Sequence, residues 1–218
     1  MGIGALLSYS GLRNYVFAPI DLTAQWMGHG ANDSSVLSKI FGVAKDYNQL
    51  IDAFEFFTTF KATWIKKTNE KLSASLWYSV KATKVFGWTF CVCESVNYLK
   101  LRNIIPLSSE RGNLALNWCS AVTGGLSAIL SLTVTSISYK EIFQTKNKLP
   151  KIVVAMNLVS AWGDISNLAL AILNSPVCDK YNLKNAKLYV NTGLTVSKWI
   201  GWGINSYLQS IEKKDSKR

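Results

Sequence analysis

Apolar and polar positions along this chain fall into blocks, and the apolar blocks concentrate in its second half. The longest runs from Gly112 to Tyr139, with no charged side chain between Arg111 and Lys140. That exceeds the roughly 20 residues a helix needs to cross the hydrocarbon of a bilayer. Its Gly124-Gly125 pair and its many Ser and Thr residues suit close helix packing in lipid, where small side chains let backbones approach. A second block, Ile152 to Cys178, carries one charge, Asp164, near its middle. A third, Leu188 to Leu208, has Lys198 near its centre, followed by Trp199 and Trp202. Gly193, Gly201 and Gly203 in that block would admit a neighbouring helix at close range. The stretch from Val85 to Leu99 holds Glu94 and is flanked by Lys81, Lys84, Lys100 and Arg102. It is short for a span and reads either as a tilted one or as a helix lying in the interface. The pattern predicts two to three transmembrane helices.

Upstream the pattern changes. From Val36 to Ile65 the apolar residues recur as Leu37, Ile40, Ala44, Tyr47, Ile51, Phe54, Phe57 and Trp64. Steps of three or four residues place them on one face of a helix. Lys45, Asp46, Asn48, Gln49, Asp52 and Glu55 take much of the other face, and Ser34 or Ser35 can cap the start. After Lys66-Lys67 a second amphipathic stretch follows around Leu72, Leu76, Trp77 and Val80, with Lys71, Lys81 and Lys84. Such helices either lie on a membrane or pack on other helices. Residues 1–35 are weakly apolar as far as Phe17, after which Pro19 and Gly28-His29-Gly30 are expected to break any helix. They read as a short anchor or as an arm laid on a partner. The domain organisation predicted is therefore an N-terminal arm (1–35), an amphipathic helical region (36–111), and a transmembrane helical region with a basic tail (112–218). The fold class is all-α, a helical integral membrane protein with amphipathic N-terminal helices.

Composition strengthens that reading. Hydrophobic residues make up 49% of the 218, and charged residues only 17%, too few to coat the surface of a water-soluble domain. The mean hydropathy is +0.13. Eight Trp and nine Tyr fit rings placed at membrane–water boundaries. The excess of 24 Lys and Arg over 13 Asp and Glu gives a net charge of +11. These basic residues lie mainly at the ends of apolar blocks, which points to an anionic lipid surface rather than to nucleic acid. No orientation follows, because Lys and Arg flank both ends of most spans.

Little in the chain reads as catalytic chemistry. Its single histidine, His29, sits between two glycines, which removes most His-based schemes and any multi-His metal site. Cys91, Cys93, Cys119 and Cys178 have no metal-ligand spacing and read as small hydrophobes. No phosphate-binding glycine loop is present, because Gly124-Gly125 falls inside a predicted span. No catalytic, cofactor or metal site is expected. Asp164 and Lys198 stand out as intramembrane polar residues, which are costly in hydrocarbon and face protein, a cavity or each other. A pairing of the two across helices is one reading, and a lysine snorkelling to the interface is the other.

The order of elements resembles the peroxin-eleven family of peroxisomal membrane proteins. Lys45-Asp46-Tyr47, followed by Leu50, Ile51, Phe54 and Phe57, is similar to that family's first helix. Ser79-Val80-Lys81-Ala82-Thr83-Lys84-Val85-Phe86 resembles a diverged form of its Ser-Arg-Lys step leading into an amphipathic, membrane-inserting helix. Asn157 to Leu173 with Asp164, and Thr192 to Tyr207, resemble its two closing helices in order and spacing. The likeness covers about residues 36–208. The chain departs from the family in about 35 additional N-terminal residues, in reduced basic steps, and in the loss of Arg from the inserting helix.

The resemblance implies a non-enzymatic protein of the peroxisomal membrane that shapes or elongates it by amphipathic helices and self-association. Phe54, Phe57, Phe60, Trp64, Lys81, Lys84 and Phe86 would then meet the membrane surface, with anionic lipids and further copies of the chain as partners. The chain's pattern leaves two alternatives open. One is an accessory subunit of a large complex of the mitochondrial inner membrane, respiratory or ATP synthase. The other is a small-solute channel.

Overall fold

The computed structural model describes residues 12–27, 43, 73–101, 103–106, 109–145 and 151–215. Among them the only regular structure is helical. A π-helical turn, Arg13–Phe17, leads into α1, Ala18–Trp26. Four long helices follow: α2, Ala74–Leu101; α3, Glu110–Thr145; α4, Lys151–Leu173; and α5, Lys184–Asp215. The amphipathic stretch from Val36 to Ile65 falls almost wholly outside the described residues, and Phe54, Phe57, Phe60 and Trp64 fall outside them.

Local chemistry explains the helix ends. Ser73 caps α2, its hydroxyl accepting from the Leu76 amide at 3.2 Å. At the other end Asn103 adopts a left-handed backbone, φ 56°. Its amide donates to the Lys100 carbonyl at 2.9 Å, and the Ile104 amide donates to the Leu99 carbonyl at 2.9 Å. This is the Schellman pattern, with Asn in the position glycine most often fills. Ser109 caps α3 through the Gly112 amide, and Glu110 puts a negative charge at the positive end of that helix. Pro19 does not break the arm as the sequence predicts. It lies in the first turn of α1, where its missing N–H has no intrahelical acceptor to lose.

The long helices are antiparallel neighbours in chain order. Glu94 meets Ser120 while Thr83 meets Ser127, so α2 and α3 run in opposite directions. Gly125 lies against Leu168 and Ala171 of α4. Gly163 faces Ser197, and Gly201 faces Val159, which sets α5 antiparallel to α4. Each helix packs mainly on the one before and the one after it, and the arm packs on α5. The result is a layer of four helices rather than a closed barrel of them.

Small residues make the helix contacts. A Cβ at Gly124 would lie 3.0 Å from the Phe90 ring of α2, whereas the adjacent Gly125 faces α4. Two neighbouring glycines thus serve two different neighbours. Gly193 lies under Trp162 and Ser166 of α4, and Gly201 under Val159; Gly203 has nothing within 4 Å. The close approach predicted at the α5 glycines therefore occurs at two of the three.

The interior is correspondingly poor in large apolar side chains. Among the described residues the buried hydrophobic ones are Ala24, Leu76, Cys93 and Ala128, and the buried polar ones are Ser120, Thr123, Ser166 and Ser197. Along α3 the inward stripe reads Ser120, Thr123, Gly124, Ser127, Ala128, Ser131. The outward stripe of the same helix reads Leu114, Trp118, Val122, Leu126, Ile129, all exposed. On α4 Leu158, Trp162, Ile165 and Ile172 are exposed, and on α5 Tyr189, Val196, Trp199, Ile200 and Tyr207 are. This reverses the order of a water-soluble bundle, which puts large apolar residues inside.

Two helices are long and apolar enough to cross a membrane: Glu110–Glu141 with mean hydropathy 1.5, and Ile152–Leu173 with 1.3. The core helix of a soluble protein can match such values, but it is then mostly buried. Here only 11% and 6% of the most apolar windows are buried. Hydroxyls on the exposed faces are satisfied within their own helices: Thr133 donates to the Ile129 carbonyl and Ser136 to that of Leu132. Such back-bonding removes the cost of a hydroxyl that has no water beside it.

Candidate functional site

The polar residues of the four helices are not scattered. On α2, Thr83, Gly87, Phe90, Glu94 and Asn97 recur at steps of three and four, which is one helical face. On α4, Asp164, Asn167, Ala171 and Asn174 do the same, and on α5 Asn191, Leu194 and Lys198. Together with the inward stripe of α3 these faces line a cleft of about 750 Å³.

Within the cleft two of the charged groups are hydrogen-bonded to neutral side chains. The Ser120 hydroxyl donates to Glu94 Oε1 at 2.6 Å, joining α3 to α2. Lys198 Nζ donates to Asn14 Oδ1 of the arm at 2.8 Å. A hydrogen bond to a charged group is worth about 1.5–3 kcal/mol, more than one between neutral groups. These bonds therefore fix the helix register as well as the charges.

The arm is built onto α5 around that lysine. Tyr15 packs edge-on against Trp199, with ring centroids 6.0 Å apart, and lies 5.8 Å from Trp202. Trp26 Nε1 donates to Thr192 Oγ1 at 3.0 Å, and the Trp26 ring meets Tyr189 at 5.3 Å. The arm therefore lies on the chain's own last helix along residues 12–27. A second, smaller cavity of about 270 Å³ lies between Tyr15, α4 and α5. It shares Asp164, Asn167, Leu194 and Lys198 with the large cleft, so the two meet at those residues.

The other residues singled out in the sequence lie elsewhere. Lys81 and Lys84 are exposed near the start of α2, and Phe86 is half-buried. Lys81 Nζ sits 5.0 Å from the centroid of the Trp77 ring, a cation–π distance, and Tyr78 abuts the same ring. Asp164 and Lys198 are brought to one cleft, where Lys198 bonds Asn14 of the arm. His29 falls outside the described residues. The cysteine thiols are not in disulfides: Cys93 is buried and lies against Cys119 of α3. Among the described residues no group of three or more His, Cys, Asp or Glu could hold a metal ion.

Comparison with known proteins decides little here. No family model, curated protein or solved structure matches the chain. The cleft has to be read from its own residues.

Proposed function

We propose that this chain is an integral protein of an organelle membrane and that it shapes or elongates that membrane without catalysing a reaction. The observation that carries the membrane reading is the reversed layer, with Ser, Thr, Gly and Ala between helices and Leu, Ile, Val and Trp outward. At about 25 cal/mol per Å² of apolar surface, exposing those outward stripes to water would forfeit much of what folding gains. In lipid they cost nothing.

Support for the shaping role comes from the chain's first half. A basic and aromatic group begins α2, half-buried Trp77 with exposed Tyr78, Lys81 and Lys84, and amphipathic sequence precedes it. Aromatic rings and lysines of this kind settle at the headgroup level and attract anionic lipid. An amphipathic helix from Val36 to Ile65 lying beside them would wedge Phe54, Phe57, Phe60 and Trp64 into one leaflet. Expanding one leaflet alone favours curvature. The helical layer would hold the wedge in place, and self-association would concentrate it. Through the resemblance to the peroxin-eleven family the proposed location is the peroxisomal membrane, with the mitochondrial inner membrane as the alternative.

Full-length protein reconstituted into vesicles containing anionic lipid should convert round vesicles into tubules, seen by electron cryomicroscopy. Deleting residues 36–65 should leave the protein inserted and the vesicles round. Equal vesicle shape with and without the intact protein would overturn the shaping role.

A further inference from the structure

A polar cleft among apolar helices is expensive unless water fills it. A charged side chain at the centre of a spanning helix costs about 2.5–3.5 kcal/mol when it must face lipid. Glu94, Asp164 and Lys198 instead line one cavity, whose volume of about 750 Å³ leaves room for on the order of 20 waters. Asp164 and Lys198 also line the second cavity, so a polar route continues past them toward the arm. Asparagines and serines, interspersed with Phe90, Leu170 and Leu194, line the wall between these charges and offer donors and acceptors together. That composition suits a solute with several hydroxyl or amine groups. Two carboxylates stand against one ammonium, and Asn14 already accepts a bond from that ammonium. The balance favours positive charge.

We infer that the cleft is a hydrated binding site for a small hydrophilic solute, preferentially a cationic one, and that Asp164 and Lys198 stand where it joins the second cavity. The inference rests on the membrane reading of the layer, and single cysteines allow the two to be tested apart. Cys91 lines the cleft, whereas Val122 stands on the outward stripe of α3, would face lipid, and is replaced for the test as Val122→Cys. Cys178 lies in the connection between α4 and α5 and serves as the reference.

The test uses full-length variants that each carry a single cysteine, at position 91, 122 or 178, in lipid nanodiscs open to solvent on both faces. Each is treated with a trimethylammonium and with a sulfonate methanethiosulfonate, and the rates are divided by those at Cys178. Cys91 should react, with the cationic reagent favoured on the order of tenfold, while position 122 stays unmodified. Combining Glu94→Gln with Asp164→Asn should abolish the preference and leave Cys91 reactive. If neither position 91 nor position 122 reacts, the cleft is dry and the inference fails, with the membrane reading intact. If position 122 reacts as fast as Cys178, the outward face is in water and the membrane reading fails with it. Equal rates for the two reagents at Cys91 would overturn the assigned solute charge.

Discussion

Replacing Ile129 with Arg should remove most of the protein from the membrane. Ile129 lies close to the midpoint of the uncharged stretch of α3, on its outward stripe, and is 47% exposed. On the surface of a water-soluble helix the substitution would change stability by no more than about 0.5 kcal/mol. Facing lipid at that depth it costs about 2.5–3.5 kcal/mol. Each 1.4 kcal/mol is a factor of ten, so the equilibrium constant for inserting this helix should fall on the order of 100-fold. Immunoblotting of washed membranes after expression measures the loss, with Ile129→Val as a variant expected to behave as the original. Equal membrane recovery for the Arg variant would show that this face does not meet hydrocarbon.

The second large effect belongs to the α2–α3 contact. A Cβ at Gly124 would stand 3.0 and 3.2 Å from two atoms of the Phe90 ring, so a side chain there must displace that ring and loosen the α2–α3 contact. Gly124→Leu should therefore destabilise the protein by about 1–3 kcal/mol, the usual range for overpacking. For a chain of this size that lowers Tm by about 2–4 °C per kcal/mol. Gly203→Leu is the matched comparison, because nothing lies within 4 Å of its Cβ position. Thermal unfolding in a mild detergent, followed by circular dichroism, should show a clear loss at 124 and almost none at 203. Equal shifts at the two positions would contradict the packing described.

Much of this architecture can be read from the residue pattern, and the exceptions have physical causes. The uncharged run from Gly112 to Tyr139 marks α3, yet the helix continues to Glu110 and Thr145. A helix outlasts its apolar part because polar ends are stable at a membrane surface and make the same backbone bonds. Val85 to Leu99 reads as too short to span because Lys81 and Lys84 precede it. The amphipathic stretch before those lysines and the short apolar stretch after them join into one helix of 28 residues, about 42 Å long. Nothing between them stops a helix: Gly87 lies within it and lets Ser127 of α3 approach.

The cleft was partly visible. Asp164 and Lys198 stand out as charges in apolar blocks, but the stripe that joins them does not. Its signal was the recurrence of Asn and Ser at helical spacing, as in Asp164, Asn167 and Asn174. A search for apolar periodicity passes over a polar one. The docking of the arm had no local signature at all. Asn14 and Lys198 are 184 residues apart, and neither side chain announces the other. Pro19 misleads in the same region, because its effect depends on whether it enters a helix at the first turn or in the interior.

Outward apolar faces embedded in lipid should resist extraction of native membranes with alkaline carbonate, since that treatment strips proteins held by charge or by other proteins and leaves spanning ones. The protein should stay in the membrane pellet and leave it only with detergent. Release into the carbonate supernatant would contradict that placement in lipid.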